Sequence, residues 1–240
     1  MGKLTWLLIA INVIVFELVF SLPSQEPIFQ MFAFSSGTSL EIWRWFTSMF
    51  LHVSASHLFF NMLGLYFFGK ILEEHVSAKW FIGVFIVTGL FGNFIFMLID
   101  PSFVIGASGA VFGLMGAAML LNPIKRIHMY IFPLPLGIVA ILFLLVETFV
   151  IQFQPAEFAN VANIAHIAGL LAGALFAFIY DWKKSVEGLM FLIICLLLLM
   201  ILGPVFGIIT AIGAFILAIL ESIIGFFLYG IAKVIGLIWI

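Results

Sequence analysis

The feature that most constrains this chain is a succession of apolar stretches about twenty residues long, separated by short polar breaks. Most are long enough to cross a ~30 Å hydrocarbon layer as a helix. Composition agrees, since 65% of the 240 residues are hydrophobic and only 8% charged, where soluble domains carry roughly 25% charged residues. So few charges cannot cover a water-facing surface. The chain therefore reads as all-α, a polytopic transmembrane helical bundle whose first partner is the lipid bilayer. A net charge of −2 points to neither nucleic acid nor an acidic partner.

In order, the spans read as 4–20, 56–72, 80–99, 106–121, 133–153 and 161–180. The first follows only Lys3, lacks a clear small-residue cleavage site, and reads as a span and not as a cleavable signal. Residues 21–50 are too polar and broken to cross but are rich in aromatics, which suits the headgroup layer. There Trp43 and Trp45 would anchor, and Arg44 would meet phosphates or backbone carbonyls. Glu73, Glu74, His75 and Lys79 form a polar connection, and Asp100-Pro101 a turn. After Asp181-Trp-Lys-Lys184 two further spans are expected, about 186–202 and 205–228. The organisation expected is a six-span core over 1–185 with additional membrane segments over 186–240, packed at the periphery. Cys195 is the single cysteine and reads as a small buried apolar residue.

Basic residues set the orientation. With the N-terminus in the cytoplasm, Lys3, Lys70, Lys79, Lys125, Arg126, Lys183 and Lys184 all fall on the cytoplasmic side, and among the first six spans only Arg44 falls outside. The fourth and sixth spans then both enter from the outer side. Ser108 lies about one turn into the fourth and His166 one to two turns into the sixth, at matched depth.

Ser108 sits in Val104-Ile-Gly-Ala-Ser-Gly-Ala-Val-Phe112, between glycines at the opening of an apolar helix. It is either a helix cap or a nucleophile. A serine hydroxyl needs a base to take its proton, and a histidine can accept that proton and return it to a leaving amine. In Ala-His-Ile-Ala-Gly-Leu-Leu-Ala-Gly, residues 165–173, His166 shares a helix face with Gly169 and Gly173. The fourth span offers a matching seam in Gly109, Gly113 and Gly116, so close packing would bring imidazole to hydroxyl.

His57 and Asn61, at i and i+4 of the second span, carry donors on one face. They read as oxyanion donors or as interhelical glue. Phe112, one turn beyond Ser108, could flank the imidazole. The i, i+5 spacing of His52 and His57 is not that of two ligands on one helix face, so no metal is expected, and no cofactor.

These residues together resemble the rhomboid intramembrane serine proteases: Trp43-Arg44, His57 with Asn61, Gly106-Ala-Ser-Gly109, and Ala-His-x-x-Gly-x-x-x-Gly over 165–173, in that order. The resemblance implies a six-helix rhomboid-like core with Ser108 as nucleophile and His166 as general base. It implies an oxyanion hole of the Ser108 N–H with the His57 and Asn61 side chains, and single-span membrane proteins as substrates, cut near the outer face. Gly106, Gly109, Phe112, Gly169, Gly173, Trp43 and Arg44 would support the site. Phe112 stands where bacterial members carry a tyrosine, so the ring is kept and its hydroxyl lost. Two competing readings are a catalytically silent client-binding relative, against which the presence of both Ser108 and His166 argues, and a small transporter with Ser108, His57, His166 and Glu147 along a polar path, for which no repeat symmetry is visible.

Overall fold

The computed structural model of the protein describes residues 2–129, 132–152, 156–198 and 200–201, with isolated positions 215, 219 and 222. The expected span over 205–228, apart from those three positions, and the side chains of Glu147 and His128 lie outside the described residues. The chain divides into two compact units, Met1–Leu192 and Ile193–Ile240.

The first unit is mostly helical. Its long elements are α1 (Lys3–Phe20), α4 (Ala55–Gly64), α6 (Ala78–Ile99), α7 (Ser108–Leu121), α8 (Leu136–Gln152) and α9 (Ala156–Tyr180). Two short helices, α2 (Glu26–Phe32) and α3 (Ile42–Thr47), interrupt the aromatic segment after α1. α4 continues through a π-helical turn, Leu65–Gly69, into α5 (Lys70–His75). The polar residues Glu73, Glu74 and His75 therefore extend a helix where a connection was expected. Glu73 has a reason to be helical: its carboxylate accepts from the Leu4 and Thr5 N–H groups at 2.9 and 2.8 Å. Those are free donors at the start of α1, where an anion is favoured. Before α8, strands β1 (Arg126–Met129) and β2 (Phe132–Pro135) pair antiparallel, so that helix starts a few residues later than the apolar pattern suggests.

Local chemistry sets several of these boundaries. Ser54 caps α4 by accepting from the His57 N–H at 3.2 Å, and Ser77 accepts from the Trp80 N–H at the start of α6. Asp100, in extended conformation before Pro101, ends α6. Its carboxylate accepts from the Ser102 N–H at 2.6 Å, and hydrogen bonding to Ser102 holds its pKa below the ordinary carboxylate value.

α7 is the axis of the unit, with every residue from Gly109 to Ala118 buried. Its neighbours α6 and α9 approach to backbone contact. A Cβ added at Gly169 would collide with the Gly109 carbonyl, at Gly173 with the Gly113 carbonyl, and at Gly116 with the Leu170 carbonyl. From α6, Gly92 inserts between the Ala165 carbonyl and the Gly109 Cα, 3.2 and 3.5 Å from the position of its missing Cβ. Small residues are what let helices pack this closely where lipid supplies no hydrophobic drive.

α1 and α6 are the two helices among the described residues with both the length and the apolar character to cross a bilayer. α7 has 14 residues, about 21 Å at 1.5 Å per residue, which is short of a ~30 Å hydrocarbon layer. One of its ends must then lie within the membrane. Leu171, Leu175 and Ile179 form an exposed apolar stripe along α9, as a lipid-facing helix side requires.

Residues 182–198 are also helical. Within the first unit Gly188 meets the Leu120 carbonyl so closely that it has no room for a Cβ, and Leu192 is buried against Gly137. The segment just past Ser185 is thus part of the core and not peripheral. In the second unit Cys195 is half-buried, less enclosed than expected.

Candidate active site

The loop over 100–107 delivers the chain to α7. Irregular backbone at membrane depth must find its hydrogen bonds inside the protein, and here it does. Val104 pairs with Phe34 through reciprocal backbone bonds of 2.7 and 3.2 Å, and the Gly106 N–H donates to the Ser48 carbonyl at 2.9 Å. Gly106 has φ +119°, a region that side chains rarely adopt. Space enforces glycine as well, because a Cβ there would lie 2.7 Å from His57 Nε2. The same point lies 3.9 Å from Ser108 Oγ. Gly106 therefore brings the imidazole of α4 beside the hydroxyl of α7.

Ser108 is the first residue of α7, the cap position is held by Ala107, and no side chain caps the helix. The capping role weighed from sequence is thus not the one the hydroxyl plays. Its backbone N–H belongs to the first turn, where donors lack partners within the helix.

His166 stacks on Phe112, ring centroids 4.5 Å apart and planes 9° from parallel. Phe112 lies one turn beyond Ser108, and residues four apart on a helix are neighbours, ~5–6 Å between Cβ atoms. The contact of Gly169 with the Gly109 carbonyl puts this part of α9 level with the start of α7. Phe112 also touches Phe143 of α8, at 6.2 Å between centroids.

Asn61 is buried, and its amide donates to the His57 carbonyl within α4 at 2.9 Å. Only its second N–H is left for another acceptor. His57 Nδ1 is buried without a hydrogen-bond partner, and the His52 ring lies edge-on to His57, centroids 5.0 Å apart. His52 sits ahead of α4, where burial first and the His57 ring second push its pKa well below the usual imidazole value. Among the described residues no group of three or more His, Cys, Asp or Glu side chains is placed to hold a metal ion.

Trp43 and Arg44 stand apart from this cluster and organise the segment before it. Arg44 is buried, donating to the Gln30 and Ala33 carbonyls at 2.6 and 3.0 Å and pairing with Glu41 at 2.8 Å. Of the contacts expected for it, backbone carbonyls are the ones made. Trp43 is exposed, its Nε1 reaching the Met31 carbonyl at 3.4 Å. Sequence reasoning passed over Asn93, which donates from α6 to the Trp45 carbonyl and to Ser48 Oγ at 3.0 and 3.1 Å. It fastens the stretch whose Ser48 carbonyl holds Gly106. The available signal was an amide side chain inside an otherwise apolar span.

A mostly helical bundle whose central helices pack through glycines, with His57 beside Ser108 and His166 stacked on Phe112, defines a class, and the chain belongs to the rhomboid family. The family model described as "Rhomboid domain" matches residues 39–183. Membership makes this an integral membrane protein.

Among its relatives, Rhomboid protease GlpG of Pectobacterium atrosepticum is 28% identical over 185 residues, 77% of this chain and 65% of that protein. Rhomboid protease GlpG of Yersinia pseudotuberculosis and that of Yersinia pestis are each 31% identical over 154 residues, 63% of this chain and 52% of theirs. The chain thus spans between half and two thirds of the length of these relatives.

Proposed function

We propose that the protein is an intramembrane serine endopeptidase that cleaves single-span membrane proteins near the outer membrane face, with its N-terminus in the cytoplasm. The observation that carries this reading is the His166 ring stacked on Phe112 one turn from Ser108, on a helix that no side chain caps. The names of the relatives support the reaction class. The catalytic core is six helices, α1, the α4–α5 run, α6, α7, α8 and α9, with the helical residues just past Ser185 closing one side.

In the reaction Ser108 Oγ attacks the scissile carbonyl carbon as His166 takes the hydroxyl proton. The tetrahedral oxyanion accepts hydrogen bonds from the Ser108 N–H, His57 Nε2–H and the second N–H of Asn61. Collapse breaks the C–N bond, and His166 returns its proton to the departing amine. Water, deprotonated by the same imidazole, then adds to the acyl carbon, and as the C–O bond to Ser108 breaks His166 returns that proton to Ser108 Oγ, releasing the acid. Phe112 and the glycine seam hold the imidazole, while Gly106 leaves room for the oxyanion between His57 and Ser108.

The test is cleavage of a purified single-span substrate in liposomes. Wild-type protein is expected to cut it, and Ser108→Ala and His166→Ala each to lose cleavage while keeping the wild-type melting temperature. Cleavage retained by Ser108→Ala would overturn the reading.

A further inference from the structure

His52 is a buried histidine beside the site that this chemistry leaves unused. It is 2% exposed, and neither of its ring nitrogens makes a hydrogen bond of good geometry, the Phe50 carbonyl being an acceptor close to the ring. Burying such a group without a partner is costly, so the groups around it carry information. The His57 ring lies against it, centroids 5.0 Å apart and planes inclined at 64°.

His57 has the complementary need. Its Nε2 points toward Gly106, where the Ser108 hydroxyl also approaches, while its Nδ1 is buried with no partner. A neutral imidazole carries its proton on one nitrogen, and the hydrogen bond made by the other decides which. For Nε2 to donate, Nδ1 must be the bare nitrogen, and an N–H directed at it holds it so. A half-turn of the His52 ring about its Cβ–Cγ bond exchanges its nitrogen and carbon edges.

We propose that His52 is a positioning residue, donating its ring N–H to His57 Nδ1 and so fixing His57 in the tautomer whose Nε2–H faces the oxyanion beside Ser108. The catalytic part rests on the reading of His57 given above. The competing acceptor is the Phe50 carbonyl, which stands close enough to the His52 ring to act on it as a hydrogen-bond acceptor. Were the His52 proton committed there, His57 would carry its own proton on Nδ1.

Nitrogen NMR of ¹⁵N-histidine-labelled, full-length protein separates the two arrangements without any need for activity. The expected result is His57 protonated at Nε2 in the wild type and a tautomer mixture in His52→Phe, which keeps a ring and removes the nitrogens. In kinetics, His52→Phe is expected to lower kcat by roughly tenfold to a hundredfold, by analogy with the range for partners that orient a metal-bound histidine through its second nitrogen, with KM unchanged. His52→Gln, which keeps an N–H donor, is expected to regain part of that loss. Wild-type His57 protonated at Nδ1 overturns the proposal even if His52→Phe does not fold. So does a folded His52→Phe with wild-type kcat, or a His52→Gln no faster than His52→Phe. If wild-type protein cleaves nothing but the tautomers are as stated, the protease reading fails and the His52–His57 pairing stands.

Discussion

α7 meets its neighbours in two different ways on its two sides. Toward α6 and α9 it presents Gly109, Gly113 and Gly116: against α9, carbonyl oxygens press where side chains would otherwise stand at Gly116, Gly169 and Gly173, while against α6 the Thr88 side chain fills the space at Gly113. Toward α4 and α8 it presents Val111 and Phe112, which meet Gly64 and Phe143 through side chains. A backbone contact cannot yield without moving a helix, whereas a side-chain contact can yield by a change of rotamer. The first side therefore fixes the level of His166 against Ser108, and the second adjusts what surrounds them. The residues proposed for chemistry lie along the boundary of the two.

The sharpest way to break this comparison is to put a side chain into the backbone side. Gly169→Val and Gly173→Val are each expected to abolish the folded protein, because overpacking that cannot relax costs about 1–3 kcal/mol or more and here the obstacle is a carbonyl. Detergent-solubilised yield and thermal shift would measure it. A folded, active Gly173→Val would show that the seam is slack.

On the other side, and without loss of fold, His57→Ala and Asn61→Ala are expected to lower kcat by on the order of 10² to 10³ each, with little change in KM. Steady-state cleavage at several substrate densities in liposomes separates the two constants. If both variants turn over normally, these residues are interhelical glue and the oxyanion rests on the backbone alone.

How much of this was legible in sequence differs between the two sides. The seam could be read from Gly169 and Gly173 at i+3 and i+7 from His166, because close helix packing has few solutions besides small residues. The stacking of Phe112 followed from its i+4 spacing to Ser108. The helical state of Glu73 was hidden, since its reason is the set of free N–H groups of α1, some seventy positions away in the chain. The place of Gly188 was hidden too. A lone glycine in an apolar run says nothing of the Leu120 carbonyl it packs on, and the segment past Ser185 was expected at the periphery.

That contact gives a smaller effect. Ending the chain after Ser185 is expected to lower the melting temperature by roughly 4–8 °C, as for a loss of ~2 kcal/mol in a unit of this size, while the remaining folded protein still cleaves. An unchanged melting temperature would return the segment to the periphery. Smallest of all, Phe112→Leu is expected to slow cleavage by less than about tenfold, the loss of one ring contact worth roughly 0.5–1.5 kcal/mol. A loss as large as that of His166→Ala would mean that the ring does more than support the imidazole.

The central claim is that the imidazole on the glycine seam makes the Ser108 hydroxyl a nucleophile, and the most direct measurement is covalent labelling. Full-length protein is treated with a fluorophosphonate and the modified residue mapped by mass spectrometry, in the wild type and in His166→Ala. The account predicts a single adduct on Ser108, lost or greatly slowed in His166→Ala although that variant melts like the wild type. An unlabelled Ser108 in folded wild-type protein, or labelling indifferent to His166, would contradict it.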